Sequence, residues 1–442
     1  MNKSVIILLI LISLMGSTMF CIRPIEAQNP NNITINADGS VTPSTAPLER
    51  SGNTYTLSSS IFDSPIIVQR SDIVVDGLNY FLQVSQTADF IHVAGINLTK
   101  VNNVIIKNFE VKGFGNGINI QNSSNCIIEN DTLTTTNGIA LIGSSNNQII
   151  NNNITSNVDQ FSKPQNIGIS VVEDSSNNNI SKNKVTGSWW WIGIVTDGQN
   201  NTISGNKMTG MIDVAGSANK VFGNEVSNTQ TATSKQTFPD SGTGIGVSGH
   251  KQEIFQNTIR NNGIGISIGS SGNITIYLNN FINNTNQVSI EESAKAIWDD
   301  GKEGNFWSDY QSKYPNATEI DNSGIGNTPY IIDANNIDHY PLMSQADIIV
   351  PVSTPSPSTS VPEFSWLIIL PLFILILSFI VLIRNRKWIN VNCYGNDKKR
   401  NDEFSYSSFS QSSQLQSQPQ SSFSSSSKII ILTIPENHFR IK

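Results

Sequence analysis

Charge is scarce in this chain. Asp, Glu, Lys and Arg make up 14% of its 442 residues, about half the usual share. A coiled coil laced with ion pairs is therefore excluded. The 27 basic residues are outnumbered by 34 acidic ones, for a net charge of −7. That balance leaves no basic footprint for nucleic acid. Cysteine is rarer still. Cys21, Cys126 and Cys393 lie in three different segments, which excludes a disulfide framework and a CxxC metal knuckle. Stripes of apolar residues at a period of 3.6, backed by Ala, Leu, Glu and Lys, are also missing, so helical repeats are excluded. Asparagine supplies the polarity instead, with 55 residues, more than Lys and Arg together.

The ends carry an address. Residues 1–27 read as a secretory signal, with Lys3 as the basic start, an apolar stretch over 5–14 and Ile25-Glu26-Ala27 as the cleavage site. Residues 365–383 form a predominantly apolar run without a charge and are followed by Arg384, Arg386 and Lys387. That length matches a transmembrane helix, and the basic flank puts its far end in the cytoplasm. The Pro/Ser/Thr stretch 347–364 reads as a linker, and the Ser/Gln-rich tail 384–442 as disordered. Between 28 and 360 there are 16 basic and 28 acidic residues. An acidic exterior anchored by one helix suits the cell surface.

The informative region is 102–295. An apolar pair, one further residue and an Asn recur as Ile105-Ile106-Lys107-Asn108, Ile127-Ile128-Glu129-Asn130 and Ile149-Ile150-Asn151-Asn152, with weaker copies ending at Asn183, Asn206, Asn224, Asn257 and Asn279. A unit of roughly 22 residues is the signature of a solenoid. Within each unit the apolar period is two and β-branched residues dominate, as in Gly117-Ile118-Asn119-Ile120 and Gly168-Ile169-Ser170-Val171. Short strands bounded by Gly and Asn turns follow. The expected fold is all-β: a single-stranded right-handed parallel β-helix, begun by an N-terminal segment over 28–101. The asparagines then stack from rung to rung, because an amide both donates and accepts and tolerates left-handed turns. By this reading Asn108, Asn130, Asn152, Asn183, Asn206, Asn224, Asn257 and Asn279 form one buried ladder. Burial makes Asn130 a poor acceptor among the Asn-x-Ser/Thr sequons. Cys126 falls on an alternating position and is expected in the core.

These rungs resemble the parallel β-helix repeats of NosD-type periplasmic copper-binding proteins and of the carbohydrate-binding and sugar-hydrolase (CASH) β-helix group, of pectate-lyase-like fold. Ala37-Asp38-Gly39-Ser40 and Asp76-Gly77 resemble the leader of archaeal surface-anchored members. Trp298-Asp299-Asp300-Gly301, Phe306-Trp307-Ser308-Asp309-Tyr310 and Thr328-Pro329-Tyr330 resemble their C-terminal module, expected as a cap over 296–346. The resemblance implies copper delivery or sugar chemistry. Copper prefers His, Cys and Met, yet before the apolar run only His92, His250 and His339 are present, far apart in sequence.

Three further clusters bear on function. Asp174 and Asp197 stand one repeat apart and are the candidate acid pair for a hydrolase or lyase, with solvated carboxylates as the alternative. Trp189 and Trp191 lie on an expected strand and form a candidate sugar platform. Glu319, Asp321 and Asn327 offer oxygens of the kind calcium takes, with a polar turn as the alternative. The expected partners are a polysaccharide or surface-layer component and the membrane, with no nucleic acid.

Overall fold

A computed structural model describes residues 32–85, 93–156, 166–187, 191–227 and 242–348. The expected signal, the apolar run 365–383, the tail and Trp189 lie outside these residues. Among the described residues no helix is long and apolar enough to cross a membrane.

The chain coils through three parallel sheets in turn. The first holds Asn116–Gln121, Asn137–Ile142, Asn166–Val172, Trp191–Thr196, Met211–Val214 and Thr243–His250 as successive neighbours. The second holds Val104–Lys107, Ile127–Glu129, Gln148–Ile150, Asn179–Ser181, Thr202–Ser204, Lys220–Phe222, Glu253–Phe255 and Ile274–Tyr277. The third runs in the same way from Glu110–Lys112 through Thr132–Thr135 to Asn280–Ile282. Each strand pairs in parallel with its counterpart one turn later, so Ile118, Ile139, Ile169, Ile194, Ile212 and Ile245 fall in one file. Alternation sends every second residue inward. The inward files are Ile, Val and Leu, nearly all fully buried in one continuous core. Each such side chain contributes about 1.5–3 kcal/mol.

The corners explain the asparagine. Between the second and third sheets, Asn152, Asn183, Asn206, Asn224, Asn257, Asn279 and Asn305 form a buried column. Each Nδ2 donates to the Oδ1 of the next at 2.9–3.0 Å. Each also donates to a carbonyl one rung back, as Asn206 does to Ile180 at 2.9 Å. Every amide atom is therefore bonded without water.

Asn108 and Asn130 are not in this column. They stand one residue ahead of it, at φ 58° and 59°, in the left-handed position that Asn151, Lys182 and Gly205 occupy in later rungs. The column sites of their rungs are Phe109 and Asp131, linked by a bond from the Phe109 N–H to Asp131 Oδ1 at 2.7 Å. Asn suits both the left-handed corner and the amide column, and the Asn151-Asn152 pair makes the two registers look alike. Asn130 is accordingly exposed, not buried. A second column, Asn147, Asn178, Asn201, Asn219 and Gln252, lines the corner between the first and second sheets.

Beyond the last rung, Ala296–Ile297 extends the second sheet and Phe306–Trp307 the third. Trp307 stacks on Phe281 at 4.5 Å and Tyr330 on Trp307 at 4.3 Å. Aromatic planes thus continue the file where the aliphatic strands stop. A short helix, Tyr310–Lys313, and an antiparallel pair, Tyr330–Ile331 with Ile337–Asp338, complete this end.

Candidate functional site

The outward face of the first sheet departs from a solvated surface. Its outward file runs Asn97, Asn119, Ala140, Ser170, Val195 and Asp213. Ala140, Ile142 and Val172 make a small buried apolar cluster there, separate from the core. Asn119 donates from Nδ2 to Asn97 Oδ1 at 3.1 Å. Its own Oδ1 is buried and has no hydrogen-bond partner, although the residue is only 8% exposed. A buried acceptor left unpaired costs about 1–3 kcal/mol, so native proteins keep few of them.

The candidate acid pair borders this face. The Asp197 N–H bonds to Val171 O at 3.2 Å, which sets Asp197 one rung on from Val172 and beside Glu173 and Asp174. Glu173 and Asp174 turn out at φ 55° and 59° and are exposed. Asp197 is half-buried, and its Oδ1 is a second buried acceptor without a partner. Burial raises its pKa above the ordinary aspartate range, and the charges of Asp174 and Glu173 push it further the same way.

Segments 86–92, 157–165, 188–190 and 228–241, outside the described residues, each join a third-sheet strand to the next first-sheet strand. Trp191 opens the strand Trp191–Thr196; only its backbone is described.

The candidate calcium residues are engaged in a turn. Glu319 Oε1 accepts the Gly324 N–H at 2.6 Å. Asn327 Oδ1 accepts from the Thr318 N–H at 3.1 Å and the Thr328 hydroxyl at 3.0 Å. Asp321 holds a left-handed corner at φ 46°. Among the described residues no group of three or more His, Cys, Asp and Glu is placed to hold a metal ion. Cys126 lies in the core, with its thiol pushed up to about 11 by burial. Met208 is also core, and His339 is paired through Nδ1 with Asp299 at 3.0 Å. Soft ligands are thus scattered, and the described residues do not fit a copper centre.

Comparison with known proteins defines the class. The model of the right-handed β-helix region matches residues 94–233, and the sheets over that stretch are parallel and coiled as described. The model of the periplasmic copper-binding protein NosD matches residues 168–312. Residues 94–233 thus match right-handed β-helix repeats, and residues 168–312 match the repeats of NosD. No curated protein matches the sequence. Among solved structures, a mutant of DFA-IIIase from Arthrobacter chlorophenolicus A6 in complex with DFA-III is similar at 14% identity and a TM-score of 0.38 over 52% of this chain. The match spans 62% of that enzyme's length. The periplasmic alginate epimerase AlgG is similar at 16% identity and 0.38, over 59% of this chain and 72% of its own. The tailspike protein of E. coli bacteriophage HK620 is similar at 11% identity and 0.37, over 56% and 47%.

Proposed function

We propose that this chain is an exported surface protein whose first-sheet face binds carbohydrate or envelope polymer. The apolar run 365–383 holds it in the membrane, and residues 296–346 cap the rod. The observation that carries the reading is the pair of buried, unpartnered acceptors on one outward face, Asn119 Oδ1 and Asp197 Oδ1. Sugar hydroxyls supply the donors those oxygens lack. Titration of the purified full chain against a panel of soluble polysaccharides tests it. Binding that weakens in Asn119→Ala supports the reading; no binding to any polymer, or binding indifferent to that change, refutes it.

The raised Asp197 carboxyl beside Asp174 favours a second reading, a polysaccharide hydrolase or lyase on the same face. Release of reducing ends or unsaturated uronides, lost in Asp197→Asn, would establish it. A copper-handling role is the third; the NosD model is that of a copper-binding protein, but the soft ligands among the described residues are scattered.

A further inference from the structure

A second site lies away from that face. On the outside of the second sheet, Phe222, Phe255 and Tyr277 fall in one file. Their rings stack at 4.8 and 5.3 Å, within 9° of parallel. The spacing is that of the rungs, about 4.8 Å, so each ring lies flat on the one before. Tyr277 ends the stack. Its hydroxyl donates to Glu253 Oε1 at 3.0 Å, and Glu253 Oε2 pairs with Lys220 at 2.9 Å, which fixes the ring plane.

The next rung brings no ring. The residue it sets beside Leu278 is Gly304, whose carbonyl accepts the Leu278 N–H at 2.6 Å. Between Ile297 and that contact the chain passes buried Trp298 and makes a loop over residues 300–303, closed by the Asp300 N–H on Glu303 O at 3.1 Å. Between Tyr277 and this loop is an open cleft of about 680 Å³, lined also by Lys251, Asn273, Thr275, Asp299 and Asp300. That volume is within the range of small-ligand sites, ~300–1,000 Å³.

We propose that this cleft is a separate saccharide site, in which a neutral pyranose stacks on Tyr277 as the next plane of the file. The pocket polarity selects a neutral ligand. Glu253 is neutralised by Lys220. Asp299 accepts the N–H groups of Gly301 and His339 and faces the His339 ring. Asp300 Oδ1 accepts those of Lys302 and Glu303, both at 2.8 Å. The carboxylates are thus spent on the wall's own geometry, and together they outnumber Lys251. A uronate placed on the ring meets Asp300 across the cleft. The Thr275 hydroxyl and Asn273 amide remain to bond ring hydroxyls.

The test is saturation-transfer NMR and calorimetry on the full chain. The probes are matched pairs of oligosaccharides: mannan with mannuronan, galactan with galacturonan, and glucan with its oxidised uronate. The proposal expects one neutral member to bind, Tyr277→Ala to weaken it roughly tenfold, and Tyr277→Phe to keep it. All measurements are made in the Asn119→Ala background, which weakens the first-sheet face, so that binding seen there belongs to the cleft. Preference for the uronate of a pair, binding that survives Tyr277→Ala, or no binding at all overturns it. A cooperative thermal unfolding of Tyr277→Ala, well above the temperature of the binding measurement, shows that its loss of binding is not a loss of fold.

Discussion

The backbone N–H of Asp131 donates to Asn152 Oδ1 at 2.9 Å, which seats a carboxyl group in a column otherwise built of amides. The column is directional, since each Nδ2 donates toward the C-terminal end. Asn152 also donates from Nδ2 to Ile128 O at 3.0 Å. In the rung before, the atom in the matching place is Asp131 Oδ2, buried and without a partner. Only a protonated carboxyl can donate there. At the far end the column meets Asp338, whose Oδ2 accepts the Asn305 N–H at 2.7 Å and Trp307 Nε1 at 2.9 Å. A pure acceptor suits that end. The two aspartates do opposite work.

Asp131→Asn should therefore stabilise the protein at neutral pH. Complete burial raises the Asp131 pKa well above the ordinary 3.8; the Phe109 N–H opposes the rise, and the charges of Glu129 and Asp76 add to it. A raised folded-state pKa means the contribution is full below pH ~4 and is lost as pH climbs toward the folded value. The variant restores the missing donor and has no charge to bury, so it should gain about 1–3 kcal/mol at pH 7. Chemical denaturation at pH 4 and pH 7 checks it: the difference between variant and parent must grow with pH.

Asp338→Asn should do the reverse. Its Oδ1 accepts the Tyr340 N–H at 3.1 Å while Oδ2 takes two donors, so an amide nitrogen on either side faces an N–H. The expected loss is about 1–3 kcal/mol. Burial holds the Asp338 pKa up at about 6, so the parent's own stability from this group falls as pH rises from about 4 through 6. That slope should vanish in the variant.

Within the column, Asn206→Ala should cost more than either. It removes the acceptor of the Asn183 N–H and Nδ2, at 2.9 and 3.0 Å, and orphans the Ile180 carbonyl. Several buried groups lose partners together, for a loss of about 3 kcal/mol or more. Asn206→Asp restores the acceptor but not the donor. It should approach the parent only at low pH, which a pH series of melting temperatures would reveal.

Much of this fold was legible in the sequence, because period two and the recurrence of Asn are local signals. The inward Ile files follow from Gly117-Ile118-Asn119-Ile120 and its copies. The one-residue slip at Asn108 and Asn130 arose because the first rungs place Phe109 and Asp131 where later ones place Asn. Lys182-Asn183, Gly205-Asn206 and Gly223-Asn224 carry the true register, with the left-handed residue first. The second amide column was visible as Ser144-Ser145-Asn146-Asn147 and Ser175-Ser176-Asn177-Asn178. Asn119 gave no such signal, since an unpartnered acceptor depends on what its neighbours in space fail to offer. The Tyr277 cleft needs residues 251 to 301 to meet across an excursion of the chain, and no spacing encodes that.

The acid pair makes the last prediction. Asp174 and Glu173 raise the Asp197 pKa through their charges, after burial as the largest cause. Asp174→Asn removes one of those charges, so the Asp197 pKa must fall, while Asp197→Asn leaves no half-buried titration at all. Carboxyl-carbon NMR of the full chain, labelled at aspartate, follows this directly. The stability sign is set by the same shift: Asp197's contribution is complete below the ordinary 3.8 and fades as pH rises past its elevated value. Asp174→Asn should therefore lessen the fading above that point. If the first-sheet face also cleaves a glycan, the alkaline limb that reports Asp197 as acid should move toward lower pH in Glu173→Gln, which removes the other raising charge and leaves the pair intact. An unmoved Asp197 resonance would mean that the two carboxyls do not sense one another, and the acid pair would be two separate surface groups.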